Sequence, residues 1–455
     1  MMKVMKFGGG CLKDARSLLQ AAKIVCAEIP PPAVVVSAVA GVTDLLMAGV
    51  AKAGRDEGSI AVSVLTLRDL HVSLVRRTIR DERRREAALH GIEAGLKKVE
   101  RLLHGVSYTG EITPAVRSRV LSYGERLAAL IFAALIEDGG AKSLALESED
   151  VGLVTDHNLD NATVDLKTFR KKVGPMARAW ARSGTTPVIT GFFGSTPDGK
   201  TATFGRNGTD YSAAVIAFGL RAGALEIWKD VEGFMTADPK LVKRAAMIDR
   251  LSYSEAAELS YFGAKILHPR TLEPLAGLDI AVRIKNLFDP KGPGTAISPR
   301  GYARKDVIKS ITANRQIAVL RIRGRGVGFK PGIIGDIGRR LAADGINIYS
   351  IITSQTCINL LVDRRDARRS HDALKEMAGG VIESVNLNED VALIAAVGEG
   401  LLVRKGLAAR IFAAVSRADV NIEMISTGAS EVASYFIVDR DDADRAIRAL
   451  HREFF

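Results

Sequence analysis

Val4-Met5-Lys6-Phe7-Gly8-Gly9-Gly10 and Ala33-Val34-Val35-Val36-Ser37 carry the pattern that decides the fold. Each is a short run of strand-forming residues that stops at glycine or a small polar residue. Between them, Ala15, Leu18, Leu19, Ala22 and Val25 share one helical face across residues 14–27. The unbroken apolar run at 33–36 is the kind buried on both faces of a parallel sheet. The same step from strand to glycine or charge recurs at Thr186–Thr190 before Gly191, and at Ala224–Trp228 before Lys229-Asp230. Strands alternating with helices predict an α/β fold, a mostly parallel sheet covered by helices. In such sheets ligands bind beyond the carboxyl ends of the strands, where these glycines sit.

Working outward, residues 60–120 are charged and poor in strand formers, and read as a helical insertion. Residues 286–300, with Pro290, Pro293, Pro299 and two glycines, read as a linker. Beyond it lies an internal repeat. Gly332, Ile337, Leu341, Ile346, Asn347, Ile348, Ile351 and Thr353 recur as Gly406, Ile411, Val415, Val420, Asn421, Ile422, Ile425 and Thr427, always 74 positions on, as 421 is from 347. A constant offset over this many positions marks two copies of one supersecondary unit. Each copy reads strand, glycine-led helix, two strands and a helix, a βαββα pattern. The expected domains are therefore 1–300, with the helical insertion at about 60–120, then 301–386 and 387–455.

Bulk composition removes several function classes. The 455 residues are 47% hydrophobic and 25% charged, ordinary for a globular enzyme. No apolar run reaches the roughly 20 residues that span a bilayer, so no membrane partner is expected. The N-terminus meets glycine before a signal-peptide core can form. Cys11, Cys26 and Cys357 lie far apart, without disulfide or zinc spacing, and a reducing cytoplasm fits them. The net charge of +12 raises the question of nucleic acid. Much of the excess is Arg76, Arg77, Arg80, Arg83, Arg84 and Arg85, interleaved with Asp81, Glu82 and Glu86, which reads as the solvated face of a helix. No nucleic-acid motif accompanies it.

Four segments carry candidate chemistry. Lys6-Phe7-Gly8-Gly9-Gly10 puts a lysine at a strand end before residues whose backbone N–H groups can approach phosphate oxygens closely. It is not a GxxxxGK[ST] loop, and a lysine before a glycine turn is also an ordinary strand exit. Gly205-Arg206-Asn207-Gly208-Thr209-Asp210 precedes the apolar helix 213–220. Its arginine suits a carboxylate and its aspartate a metal or an ammonium, although Thr209 or Asp210 would also serve as a helix cap. Glu125 opens another apolar helix, a place that favours an acid on dipole grounds alone. Lys265 interrupts the apolar run Phe262-Gly263-Ala264-Lys265-Ile266-Leu267, and His268 before Pro269 reads as structural. Together these residues indicate phosphate and carboxylate binding without naming a substrate.

The motifs Lys6–Gly9, Ser37–Thr43, Ser122–Glu125, Gly205–Tyr211, Lys229–Pro239 and Phe262–Pro269, in this order, resemble the aspartate kinases of the amino acid kinase fold. The repeat resembles their tandem ferredoxin-like ACT domains. The resemblance implies that MgATP donates its γ-phosphoryl group to the aspartate β-carboxylate. It further implies that Lys6 stabilises the transferring group and that Asp210 orients substrate at the reacting centre. Arg206 would clamp the α-carboxylate and Glu125 receive the ammonium, with Ser37 and Thr43 positioning substrate and phosphate. Gly8, Gly9, Lys229, Asp230, Lys240 and Lys265 would line the nucleotide side, and no residue is assigned as a dedicated metal ligand.

Two departures stand out. The family usually continues Lys-Phe-Gly-Gly with Thr-Ser-Val, whereas this chain has Gly10-Cys11-Leu12, which removes two hydroxyls near the phosphates. Lys240 stands where the family often has arginine. In the repeat, the resemblance places an amino-acid effector, threonine or lysine, near Gly332, Ile333, Asn347, Asn421 and Ile422. Lysine-sensitive relatives carry an acid shortly after the Asn347 position, where this chain has Tyr349, so weak or absent lysine inhibition is expected. The resemblance also implies a homodimer or a larger even oligomer. The competing readings are a kinase of another acidic amino acid, and a catalytically weakened ACT regulatory protein.

Overall fold

The computed structural model describes residues 2–205, 207–264, 266–301 and 307–455. Two compact units emerge. One takes in Met1–Phe234, Met247–Tyr253 and Ile266–Arg300, the other Met235–Ala246, Ser254–Lys265 and Gly301–Phe455.

In the first unit, the apolar runs become the centre of an eight-stranded sheet. Its order is Ser143–Leu146, Thr186–Thr190, Ala33–Val36, Val4–Phe7, Ala224–Lys229, Ala281–Asn286, Thr295–Ser298 and Arg250–Ser252. The pairs are parallel except that Thr295–Ser298 runs antiparallel to Ala281–Asn286. Val4–Phe7 and Ala33–Val36 are buried along their whole length, as strands covered on both faces must be. Helix Tyr123–Asp138 packs against them, with the Phe132 ring 5.5 Å from Phe7, whose other neighbour is Trp228 at 6.0 Å. The segment expected to be charged and helical forms Ser59–Thr78, Glu82–Thr109 and Pro114–Leu121.

Two expectations for this unit need correction. The basic stretch 76–85 is not one helical face. It spans a break, because the Asp81 side chain accepts from the Arg84 backbone N–H and starts a new helix. Residues 286–300 are not simply a linker, since Thr295–Ser298 is a strand of the main sheet. Thr295 is fully buried and its hydroxyl bonds the Ile248 carbonyl at 2.7 Å, which ties this proline-rich stretch down.

In the second unit the repeat is geometric as well as sequential. Helices Ile333–Ala343 and Leu407–Arg417, and strands Ile317–Arg323 and Val391–Val397, keep the 74-residue offset. Both helices start from a left-handed glycine, Gly332 at φ 93° and Gly406 at φ 78°, a conformation that costs a residue with a Cβ ~1–2 kcal/mol. Each copy builds a four-stranded antiparallel sheet rather than the three strands of a βαββα unit. The first is ordered Ile348–Thr353, Cys357–Asp363, Ile317–Arg323, Ser384–Asn388. The second is ordered Ser310–Asn314, Val391–Val397, Ala433–Asp439, Met424–Thr427. Ser310–Asn314, assigned from sequence to the first copy, thus pairs with the second. The physical reason is the open edge of Val391–Val397, a fully buried strand whose free N–H and C=O groups need a partner. Beside this strand, Lys309 and Glu255 form a fully buried ion pair at 2.7 Å, and Glu255 also accepts from the Glu399 N–H at 2.8 Å.

Candidate active site

Register brings the glycine steps together. Lys6 lies opposite Val35 on one side and Ile227 on the other, so Gly8–Gly10, Ser37 and Asp230 emerge at one end of the sheet. There they surround a cleft of about 200 Å³, which Asn207, Thr209, Trp228 and Lys229 also line. The cleft floor is charged. The Lys6 Nζ lies 2.5 Å from Asp210 Oδ1, and the Lys229 Nζ lies 3.7 Å from Asp210 Oδ2. Lys6 and Asp210 are buried. Burial alone would raise the Asp210 pKa, but Lys6 and Lys229 outweigh it and hold the carboxyl below its usual range. Burial pushes Lys229 down, against the pull of Asp210 and with a further push from Lys6. Two cations therefore face one carboxylate.

Local sequence explains why these groups can meet. A Cβ on Gly8 would stand 3.2 Å from the Lys6 ammonium, so glycine leaves that nitrogen room. Helix Gly208–Leu220 starts from Asn207 in a left-handed conformation, φ 54°, with no side-chain cap. Asp210 is thus free of the capping role that the sequence also allowed, and its side chain turns to the lysines. Gly191, at the end of its strand, leaves space that the Thr209 side chain occupies. Cys11 is buried and donates to the Trp228 carbonyl at 3.2 Å, and burial pushes its thiol up to about 11. It therefore closes the underside of the loop as a neutral thiol. Gly10 has little space for a side chain, since its Cβ would meet the Asp230 carboxylate at 3.2 Å.

Glu125 lies in the first turn of Tyr123–Asp138, yet it is only 3% exposed. Gly124 makes this possible: a Cβ there would come within 2.7 Å of the Ala38 side chain, so only glycine lets the helix press onto that loop. Glu125 Oε1 accepts from the Ala38 N–H at 3.0 Å, while Oε2 is buried without a hydrogen-bond partner. Burial pushes its pKa up to about 8, against the Ala38 N–H, Lys6 and Arg126. Next to it, Arg126 sits 4.5 Å from the Phe193 ring centre and bonds Glu147, Glu149 and Ser122.

The other predicted residues fall in different places. Thr43 is half-buried in the first turn of Val42–Ala53, behind the left-handed Gly41. Lys240 is exposed and belongs to the other compact unit. Arg206 and Lys265 lie outside the described residues. In the repeat, Gly332 and Ile333 open a helix, and Asn347, Asn421 and Ile422 lie between helix and strand. Asn207 and Thr209 were not singled out as site residues. Their signal was the run of small polar residues before an apolar helix, which reads equally well as a cap. Among the described residues no group of three or more His, Cys, Asp or Glu could hold a metal ion. No helix among them is long and apolar enough to cross a membrane.

Comparison with known proteins places this geometry. The amino acid kinase family model matches residues 1–286 and an ACT domain model matches 394–454. Aspartokinase 1, chloroplastic, of Arabidopsis thaliana is 30% identical over 99% of this chain and 80% of its own length. E. coli aspartokinase III in complex with aspartate and ADP (R-state) matches over 100% of both chains, at 28% identity and TM-score 0.85. The same enzyme in complex with lysine and aspartate (T-state) matches at TM-score 0.83, again at 28% identity, over 100% of this chain and 99% of that one.

The buried Glu125 makes a testable demand on stability. Its ordinary value is 4.5 and the fold pushes it up to about 8. Below the lower value both folded and unfolded chains hold the proton. Between the two, only the unfolded chain releases it, so stability is lost as pH rises. Glu125→Gln keeps the shape and removes this titration. Its Tm in ligand-free protein should exceed the parent's by a margin that grows from about pH 5 to about pH 8 and then levels. Thermal scans across that window check it, and a margin that is flat or shrinks contradicts the protonated, buried acid.

Proposed function

The chain belongs to the amino acid kinase family, among the aspartokinases, and as its function we propose transfer of the γ-phosphoryl group of ATP to the β-carboxylate of aspartate, giving 4-phospho-L-aspartate. The observation that carries this reading is the buried Lys6–Asp210–Lys229 cluster at the mouth of the glycine loop. In the cluster itself two ammonium groups meet one carboxylate, a local excess of positive charge for a phosphoryl group, while the second carboxylate of the cleft, Asp230, is left for the ion of MgATP.

A carboxylate oxygen of aspartate attacks the γ-phosphorus, the bond to the β-γ bridging oxygen breaks, and ADP leaves. The nucleophile is already anionic, so alignment and charge neutralisation suffice without a strong general base. Lys6 neutralises the equatorial oxygens, and Asp210 holds Lys6 and Lys229 in place. Gly8 and Gly9 offer backbone N–H groups, while Lys229 and Asp230 serve the nucleotide. Arg206 clamps the substrate α-carboxylate, and Ser37 and Thr43 help position substrate and phosphate. Glu125 receives the ammonium: its unpartnered Oε2 is an acceptor waiting for a cation, whose arrival favours the ionised acid. Mg²⁺ enters as the ion of MgATP. Such an ion keeps several waters and needs only one or two protein carboxylates, and Asp230 in the cleft is the candidate.

Effector control and assembly belong to the repeat. Phe329 and Val403, one offset apart, are 82% and 83% exposed, and Ile351 and Ile425 repeat the pattern at 38% and 49%. Apolar residues exposed at matching positions of both copies support pairing with a second chain through these faces. Gly332, Ile333, Asn347, Asn421 and Ile422 mark the two equivalent effector positions. Tyr349 stands where an acid would receive a lysine ammonium, and its ring packs 5.1 Å from Tyr261. Threonine control, or none, is therefore favoured over lysine control. Three free cysteines and an ordinary soluble-enzyme composition support a reducing, cytoplasmic setting.

Hydroxylamine trapping with ATP and Mg²⁺ tests the substrate directly. Aspartate should give the hydroxamate and glutamate should not, whereas a signal from glutamate alone sinks the reading. Silence with every acid points to a regulatory protein instead. In the same assay lysine at micromolar concentration should leave the rate unchanged, and a micromolar inhibition curve contradicts the part assigned to Tyr349.

A further inference from the structure

One residue outside the sequence motifs ties residues 161–163 to both Phe204 and Tyr211. Arg270 opens the short helical turn Pro269–Leu275, and its N–H bonds His268 Nδ1 at 3.3 Å. Its guanidinium is spread over three segments of the first unit. One terminal nitrogen donates to Asn161 Oδ1 at 2.5 Å and to the Phe204 carbonyl at 3.3 Å. The other donates to the Ala162 carbonyl and to the Thr163 hydroxyl, the latter at 3.0 Å. The guanidinium carbon lies 4.4 Å from the centre of the Tyr211 ring. That ring is itself pinned, because its hydroxyl accepts from the Val164 N–H at 3.1 Å.

These contacts bracket the turn between Phe204 and Tyr211. Phe204 precedes the turn and Tyr211 follows it, and the same guanidinium touches both. Inside the bracket the backbone takes conformations with little intrinsic preference: Gly205 has φ 73° and Asn207 φ 54°. A Cβ on Gly205 would stand 3.1 Å from Asn161 Oδ1, the atom that Arg270 fixes. A left-handed non-glycine residue persists only when its surroundings determine it. The turn delivers Asn207 and Thr209 to the cleft and Asp210 to the two lysines.

We propose that Arg270 is a positioning residue for aspartate binding, clamping Phe204 and Tyr211 on either side of residues 205–210 so that Asn207, Thr209 and Asp210 keep their places at the cleft. The proposal rests on the reading above, in which Arg206, next to Gly205 in sequence, receives the substrate α-carboxylate. Arg270 itself is not among the residues that line the glycine-loop cleft. Its planar fork serves several acceptors and stacks on a ring at once, which a lysine ammonium cannot do.

Steady-state kinetics on the full chain separate this role from general support of the fold. Arg270→Ala should raise the aspartate KM about 10-fold or more, since small misplacements of binding groups are costly. The ATP KM should move less than about 3-fold, because Arg270 bonds Asn161, Ala162, Thr163 and Phe204 rather than the glycine loop, whose own strand holds Gly8 and Gly9 in place. Arg270→Lys should recover only part of the aspartate KM. An unchanged aspartate KM overturns the proposal, as does an equal rise in both KM values. Full recovery in Arg270→Lys overturns it too. Should Arg270→Ala fail to fold, Asn161→Ala removes one arm of the clamp and should give a smaller rise confined to aspartate. Arg206→Ala distinguishes the two layers. A normal aspartate KM in that variant removes the reading of the turn, while a raised one beside a normal Arg270→Ala removes only the clamp.

Discussion

The contact on which the structure turns is a buried aspartate held between two lysines. Asp210 is 1% exposed, and a carboxylate so placed is tolerable only because Lys6 and Lys229 meet it. Breaking such a pair by removing one partner costs about 3–5 kcal/mol, because the remaining charge stays buried. The constraint runs outward from there. The strands carrying Lys6 and Lys229 must be neighbours in register, which the pairing of Val4–Phe7 with Ala224–Lys229 supplies. The helix carrying Asp210 must begin close to the sheet, which Gly191 and Gly208 permit by leaving space for Thr209, Phe192 and Phe204. The three glycines after Lys6 keep the approach to its ammonium open. Fold and charge cluster are thus one arrangement, and its surplus of positive charge is what an anionic ligand would complete.

Glu125 is the complementary case. The cluster at Asp210 is stabilised before any ligand arrives, whereas Glu125 is held in a place that penalises its charged form. The chain puts it there deliberately in the geometric sense: Gly124 lets the helix close on Ala38, and one oxygen is left without a partner. A site with one surplus of positive charge and one unmet acceptor suits a ligand that brings both an anion and an ammonium. An amino acid beside a nucleotide phosphate has both. This arrangement trades stability of the empty protein for differential interaction with its ligand.

Much of this was legible in the sequence, for a local reason. Apolar runs ending in glycine report strands that stop at a ligand, and a constant offset reports a duplicated unit, since both signals live in contiguous residues. What was hidden depended on pairing across long separations. Ser310–Asn314 looks like part of the first repeat and pairs with the second, because the open edge of Val391–Val397 claims it. Thr295–Ser298 sits in a stretch that composition marks as linker, yet a buried threonine hydroxyl anchors it in the sheet. Asn207 and Thr209 carried only the ambiguous signature of a helix cap. Arg270 gave no signal, since its importance lies in four acceptors brought from over 60 residues away. Arg206 and Lys265, on which the sequence reading leaned, lie outside the described residues, so the weight falls on Lys6, Asp210 and Lys229.

The most direct test of this account is the kcat of Lys6→Ala, measured with saturating aspartate and MgATP on protein whose circular dichroism matches the parent. The charge cluster predicts a fall of about 100-fold or more, the scale seen when one preorganised electrostatic contact to a reacting group is removed. A kcat within a few-fold of the parent would contradict the role given to Lys6, and with it the reading of the cluster as the phosphoryl-transfer centre.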